Sequence, residues 1–178
     1  MKGPERIETA RLVLRRAIAS DAESIFARYS SDRDVTKYLG WPRHESIEQT
    51  RAFLRFSDAE WQRWPAGPYL IERRDDARLI GSTGLAFDTD TVASTGYLLA
   101  RDAWGLGYAI EALAMMSAVA QNVGVCRLYA LCHPDNSASV RVLEKCGFVL
   151  EDRIQRFAAF PNLASGHEDC LRYARLFT

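Results

Sequence analysis

The most constraining feature of this chain is a pair of glycines where a predicted strand, 95–100, meets a predicted long helix, 107–122. Gly105 and Gly107 let the backbone turn sharply and come close to a ligand. The helix start adds unpaired backbone N–H groups and the positive end of the helix dipole. A junction of this kind suits a phosphate or a pyrophosphate. The pattern therefore favours an α/β protein with an anion site, although a lone Gly-x-Gly also occurs in ordinary strand-to-helix turns.

Two common phosphate loops do not fit this junction. A Walker loop requires Lys-Ser/Thr where Tyr108 and Ala109 stand. A dinucleotide fingerprint requires a third glycine where Ile110 stands, and an acidic residue at the end of the next strand, which instead closes on Leu131, Cys132 and His133. Both chemistries are therefore disfavoured.

A second motif, from His133 to Phe148, resembles the Asn-x-x-Ser…Leu-Glu-Lys-x-Gly-Phe signature of the RimJ/RimL-like branch of the GNAT acetyltransferase superfamily. The segment 104–109 is similar to the superfamily's coenzyme A pyrophosphate loop, Gln/Arg-x-x-Gly-x-Gly/Ala, with Trp104 at the first position as in members of that branch. Residues 8–16, near the start of the chain, resemble the usual N-terminal segment of the same branch. The resemblance spans residues 7–176, and the three motifs occur in the expected order.

The resemblance implies an α/β fold: a GNAT-like mixed, mostly antiparallel central sheet with helices on both faces and splayed fourth and fifth strands, in one domain over residues 1–178. The residue pattern itself places Ser20-Asp21 as the cap of a helix that runs to about Tyr29, and Ser46 at the start of another. A further helix begins at Asn136 and stops at Gly147. The seven predicted strands cover residues 11–17, 68–73, 78–87, 95–100, 127–132, 148–154 and 168–176.

Site residues follow from the resemblance, with acetyl-CoA as cosubstrate. The backbone of Leu98, Leu99 and Ala100 is expected to hold the pantetheine amides, one N–H also polarising the thioester carbonyl. Asn136 is expected against the pantetheine, and the Ser139 hydroxyl is expected to protonate the departing thiolate. The residues alone equally allow Asn136 and Ser139 to be a helix cap. The pyrophosphate is expected on Trp104, Gly105, Leu106, Gly107, Tyr108 and Ala109.

The general base is not evident from the sequence. Many GNAT enzymes carry a glutamate where Ser94 stands. The remaining candidates are Asp88 and Asp90, His133 at the end of a predicted strand, and the cluster 167–169. No metal site is expected.

Composition excludes some partners. Lys+Arg and Asp+Glu both number 23, so no net charge attracts nucleic acid or an anionic membrane. The polar N-terminus has no leader-like apolar run, and no stretch reaches the length of a membrane helix, which favours a cytoplasmic protein. Cys126, Cys132, Cys146 and Cys170 are expected to be reduced, with Cys126 and Cys132 on one face of one strand. A homodimer is left open.

The expected activity is transfer of acetyl from acetyl-CoA to a primary amine, a protein N-terminal α-amine or a small-molecule amine, by direct attack in a ternary complex. A missing base favours an α-amine, since its pKa of about 8 leaves it neutral several hundred times more often than lysine. Loops 38–44 and 156–161 are expected to form the acceptor pocket. The alternatives are a non-catalytic acyl-CoA-binding module and, less favoured, a dinucleotide-dependent oxidoreductase.

Overall fold

A single mixed sheet organises the chain, as seen in a computed structural model that describes residues 2–163 and 166–177. Its strand order is β1-β2-β3-β4-β5-β6-β8-β7, and all neighbours are antiparallel except β5 and β6. The strands are β1 (Arg6–Glu8), β2 (Leu12–Arg15), β3 (Pro68–Arg73), β4 (Leu79–Phe87), β5 (Val92–Leu99), β6 (Arg127–Cys132), β7 (Val149–Ala159) and β8 (His167–Leu176).

Helices cover both faces of the sheet. They are α1 (Ala22–Ile25), which continues as a π-helical turn (Phe26–Ser30), α2 (Arg33–Thr36), α3 (Ile47–Arg63), α4 (Tyr108–Asn122) and α5 (Ser137–Lys145). On one face, Leu113 and Met116 of α4 share a buried core with Leu99 of β5. On the other, Ile25 and Tyr29 form a second core. None of these helices is long and apolar enough to cross a membrane, within the part of the chain the structure describes.

The parallel pair β5–β6 is joined only at its beginning. Paired residues run from Val92↔Arg127 to Ser94↔Tyr129, and the pairing stops there. Beyond this point the segments 95–99 and 130–132 diverge and leave a gap in the sheet. The predicted α/β fold with splayed fourth and fifth strands is therefore confirmed, those strands being β5 and β6.

Some sequence expectations are wrong in detail. The sheet has eight strands instead of seven, because the short edge strand β1, whose side chains are mostly exposed, has no apolar alternation to reveal it. Strand β7 runs to Ala159, so the predicted loop 156–161 is largely strand, with an irregular register and a positive φ of 49° at Arg156. Cys126 lies just before β6 and is exposed, instead of sharing a face with the buried Cys132.

Asp21 is the N-cap residue of α1, as expected, but its side chain makes no capping hydrogen bond there and binds a different partner. Its carboxylate accepts two hydrogen bonds from Arg15, at 2.9 and 2.8 Å, and one from the N–H of Ile18. Arg15 also reaches Glu72 on β3. Burial opposes ionisation of Asp21, but the bonds from Arg15 and Ile18 outweigh it and hold its pKa below the usual range. This cluster ties β2 to β3 and to the turn before α1.

We predict that Asp21→Asn lowers the free energy of unfolding by about 2 kcal/mol at pH 7, because it removes two charge-assisted hydrogen bonds from Arg15, which keeps only Glu72 as its carboxylate partner. Since the folded pKa is depressed, this contribution exists above the unfolded pKa of about 4 and is lost as pH falls through the folded value. Urea unfolding should therefore show the two proteins converging in acid. Asp58→Asn, which removes an exposed partner of Arg16, should cost under about 1 kcal/mol; an equal loss in both variants would contradict the argument.

Candidate functional site

The loop between β5 and α4 leaves a row of free backbone donors. Gly105 and Gly107 adopt positive φ values of 74° and 80°, and Gly107 is the N-cap of α4. Among the described residues, no backbone hydrogen bond is donated by the N–H groups of residues 105–110. Left-handed glycines at a helix start, with several unpaired N–H groups beside the positive dipole end, make an anion site.

Arg11 holds this loop against the sheet, a role that the sequence did not reveal. Its guanidinium donates to the Leu106 carbonyl at 2.8 Å, lies over the Tyr108 ring at 4.7 Å and pairs with Glu111 at 2.7 Å. Burial opposes ionisation of Glu111, but bonds from Thr9 and Arg11 prevail and lower its pKa. The contacts join residues about 100 positions apart, so no local pattern could reveal them.

Trp104 closes the loop onto the end of β5. Its indole N–H donates to the Leu99 carbonyl at 2.7 Å, while the ring remains about half exposed. Trp104 stands where the superfamily pattern has Gln or Arg. Its indole has a structural use, because it fixes the direction of the chain between the strand and the glycines.

The backbone of β5 offers fewer free groups to the gap than the sequence predicted. The Ala100 N–H donates to the Ile80 carbonyl at 2.8 Å, within the β4 side of the sheet. Alternate residues of an antiparallel strand bond the same neighbour, so Leu98 also turns its backbone toward β4. Leu99, and Tyr97 before it, turn theirs to the gap.

Helix α5 places Asn136 and Ser139 on the other side of the gap. Asn136 is the N-cap, and its side-chain oxygen accepts from the Ser139 backbone N–H at 3.2 Å. The expected cap is therefore present, but it uses the backbone of Ser139. The Ser139 hydroxyl instead lies 3.2 Å from the phenol oxygen of Tyr97. Burial raises the pKa of Tyr97 to about 12, so this phenol keeps its proton at neutral pH.

Two cavities meet at Tyr97 and Ser139. The loop cavity, about 520 Å³, extends from Gly105 along β5 and α5 to Ser139. The gap cavity, about 510 Å³, continues from Ser139 through the opening between β5 and β6. Both cavities are also lined by Leu98 and Asn136. The two cavities therefore adjoin between the anion loop and the interior of the splayed sheet, and we refer to them together as the passage.

Aromatic rings form much of the wall of the gap cavity. Tyr38 stacks on His133 at 4.9 Å, and Phe160 meets the same imidazole edge-on at 4.9 Å. The Asn162 amide group fixes this wall, because it donates to the carbonyls of Thr36 and Trp41. Parts of both loops predicted for the acceptor pocket, Tyr38, Leu39 and Trp41 in one and Phe160 in the other, therefore line one cavity.

The base candidates occupy very different places. The Asp135 N–H donates to His133 Nδ1 at 3.1 Å, so a neutral His133 carries its proton on Nε2 and has no free lone pair for a substrate. Asp169 is paired with Arg153, away from the gap cavity. Asp88 accepts from the Tyr129 phenol at 2.9 Å, and Tyr129 lines the gap cavity beside Ser94. Asp90 is exposed.

Comparison with known proteins adds independent findings. The model of the Acetyltransferase (GNAT) domain family matches residues 11–149. An uncharacterized N-acetyltransferase of Bacillus subtilis, YoaA, is 36% identical over 154 residues, covering 85% of this chain and 86% of the relative.

Two solved structures share the fold. The ribosomal L7/L12 α-N-protein acetyltransferase RimL, in complex with coenzyme A, has a TM-score of 0.86 at 25% identity, covering 97% of this chain and 98% of its own. The microcin C7 self-immunity acetyltransferase MccE, with acetyl-CoA and AMP, has a TM-score of 0.86 at 19% identity, covering 98% and 97%. The resemblance to the RimJ/RimL-like branch is confirmed, and this chain belongs to the GNAT family of acetyltransferases.

Proposed function

We propose that this acyltransferase moves an acetyl group from acetyl-CoA to a primary amine that enters the gap cavity uncharged, by direct attack in a ternary complex. The observation that carries the proposal is the passage from the anion loop to the gap cavity through Tyr97 and Ser139. Acetyl-CoA is a substrate here, and the amine is its acceptor.

The residues of the loop cavity fit coenzyme A. The free N–H groups of 105–109 suit its pyrophosphate, with Arg11 adding positive charge nearby. The gap-facing backbone of Tyr97, together with the N–H of Leu99, suits the amides of an extended pantetheine arm, while the Leu99 carbonyl already accepts the Trp104 indole. Leu98 and Ala100 then contribute through packing and position, a narrower role than the sequence predicted. Asn136 lines the same passage from α5.

Direct attack fits the chemistry of the passage. Cys132 lines the gap cavity, but burial raises the pKa of its thiol to about 12, so it stays protonated and is a poor nucleophile. A covalent acyl-cysteine step is therefore disfavoured. The amine attacks the thioester carbon, a gap-facing backbone N–H of β5 stabilises the carbonyl oxygen, and the Ser139 hydroxyl protonates the departing sulfur.

The acceptor class follows from the cavity lining. The described residues that line the gap cavity include no aspartate, glutamate, lysine or arginine. A cationic amine would lose its hydration there without a carboxylate partner, so the neutral form is the one that enters. This favours an α-amine, or another weakly basic amine, over a lysine side chain. The α-N-protein acetyltransferase among the structural relatives supports the same class.

A non-catalytic acyl-CoA-binding module remains the alternative to be tested, since Ser94 offers no carboxylate that could act as the base. Amine-dependent thiol release from acetyl-CoA, measured over a panel of peptides and small amines, separates the two. The cytoplasmic location, the homodimer and the absence of nucleic-acid and membrane partners stay predictions.

We predict that Gly107→Glu lowers acetyl-CoA affinity by roughly 10²-fold or more, because it puts a carboxylate where the pyrophosphate would lie. Gly124→Glu is a matched control at the far end of α4: it has a positive φ of 94° and no atom within 4 Å of an added Cβ. Both variants should lose about 1–2 kcal/mol of stability from left-handed strain. Calorimetric titration with acetyl-CoA that finds equal affinities would contradict the pyrophosphate assignment.

We predict that Ser139→Ala lowers kcat roughly 10²-fold with little change in acetyl-CoA affinity. The melting temperature should barely move, since the helix cap uses the Ser139 backbone N–H, which alanine retains. Ser139→Thr, which keeps the hydroxyl, should recover part of the rate. A normal kcat in the alanine variant would leave Ser139 as a structural residue.

We predict that kcat/KM for the amine rises with pH and levels off near the pKa of each acceptor, because only the neutral amine enters the cavity. Acceptors of lower pKa should move the inflection down by the same amount, and α-amine peptides should outperform lysine side chains at pH 7. Rate profiles for three amines of different pKa test this. An inflection at one fixed pH for every acceptor would instead indicate a titrating enzyme group.

A further inference from the structure

No residue of the site has so far been assigned to accept the proton that the acceptor amine loses. A neutral amine that attacks the thioester becomes positively charged, and its surplus proton must leave the nitrogen. Ser94 is a poor proton acceptor, and the Nδ1 lone pair of His133 is occupied by the Asp135 N–H. A further group beside the gap cavity that accepts this proton during attack would therefore assist the reaction.

Tyr129 lies where such a group is needed. It is the register partner of Ser94, in the last pair before β5 and β6 separate, and it lines the gap cavity. Its phenol donates to Asp88 Oδ2 at 2.9 Å. A phenol oxygen that donates its own proton still has lone pairs that can accept another.

Asp88 completes the pair at the edge of the sheet. It follows β4 directly, its N–H bonds the Val92 carbonyl, and its side chain is exposed to solvent. Because this carboxylate contacts solvent, a proton that it receives can pass to water. The cavity therefore contacts a proton acceptor through one hydrogen bond, without a charge in its wall.

We propose that Tyr129 and Asp88 form a proton relay that takes the surplus proton from the acceptor amine. This inference rests on the proposed function. As the N–C bond forms, an N–H proton moves to the Tyr129 oxygen while the phenol proton moves to Asp88 Oδ2. As the C–S bond breaks, its electron pair leaves with sulfur, which takes the Ser139 hydroxyl proton. Ser139 then regains a proton from solvent through the loop cavity, which balances the proton that Asp88 releases. Tyr129 ends neutral, and Asp88 loses its proton to solvent.

The surroundings of Tyr129 suit a relay in which the phenol is not itself the base. Burial, together with its hydrogen bond to Asp88, raises the pKa of Tyr129, so it rests as a protonated donor. The Arg127 guanidinium lies 5.5 Å from the ring centre and limits charge build-up on the phenol oxygen during transfer. Arg127 is itself paired with Glu151, so it does not compete for Asp88.

The experiment compares Asp88→Asn, Asp88→Ala and Tyr129→Phe in amine-dependent thiol release. Asp88→Asn and Tyr129→Phe should each lower kcat/KM for the amine roughly 10²-fold, the lower end of the range for general-base catalysis. The double variant should be no worse than either single one, because the two residues act as a unit. Acetyl-CoA affinity should be unchanged in all of them.

Formate supplies the decisive readout. Added formate should restore part of the rate of Asp88→Ala, since the carboxylate site is open to solvent, and chloride at the same ionic strength should not. Formate should leave Tyr129→Phe unchanged. Asp90→Asn in the same turn is one control. Tyr173→Phe, which removes a phenol–carboxylate bond between two residues outside the described cavity lining, is the other, and both should retain wild-type rates.

Each other outcome counts against the relay. A wild-type rate in Asp88→Asn, a loss in Asp88→Ala that formate does not restore, or weakened acetyl-CoA binding would assign the pair a structural role only. If the wild-type protein releases no thiol with any amine in the panel, the proposed function fails and the relay with it. Normal wild-type transfer with unaffected relay variants overturns the relay alone.

Discussion

The early end of the β5–β6 pairing is the constraint on which the rest of the site depends. Two parallel strands that separate after three residue pairs leave a row of backbone groups on each edge without sheet partners. Buried backbone groups of this kind are costly unless something binds them. The gap is therefore both an opening through the sheet and a template for an extended ligand. The elements around it serve to keep it open: α4 follows one strand, α5 follows the other, and the residues between them line the passage.

The sequence predicted the parts of the site that are local. The glycine turn, the start of α4 and the cap at Asn136 depend on residues within a few positions of each other, so their residue types are sufficient evidence. The separation of β5 from β6 was predicted only from the family resemblance. The sequence did not predict the contacts across the fold: Arg11 with Glu111 and Tyr97 with Ser139 join distant segments. The tautomer of His133 depends on one backbone N–H that only coordinates reveal.

Charge is distributed in a way that the balanced composition conceals. Ion pairs fix the segment that follows β5, just before the anion loop. Arg101 binds Asp32 and Asp34. Asp102 binds Arg28 and Arg78. The described lining of the gap cavity carries none of these charges. A substrate therefore passes from a polar, paired surface into an uncharged interior, where every remaining hydrogen bond is stronger because less water competes for it. This arrangement selects the protonation state of the acceptor before any chemistry begins.

Fold and chemistry use different atoms of the same residues. The Ser139 backbone N–H completes the helix cap, while its hydroxyl meets Tyr97. The Leu99 carbonyl accepts the Trp104 indole, while its N–H faces the gap. Tyr129 pairs with β5 through its backbone, while its phenol bonds Asp88. Because packing and pairing already fix these positions, each reactive group is held in place by the stability of the fold and not by contacts of its own. A change to such a side chain can then alter rate while leaving the structure intact, which is the condition under which function can diverge on a shared scaffold.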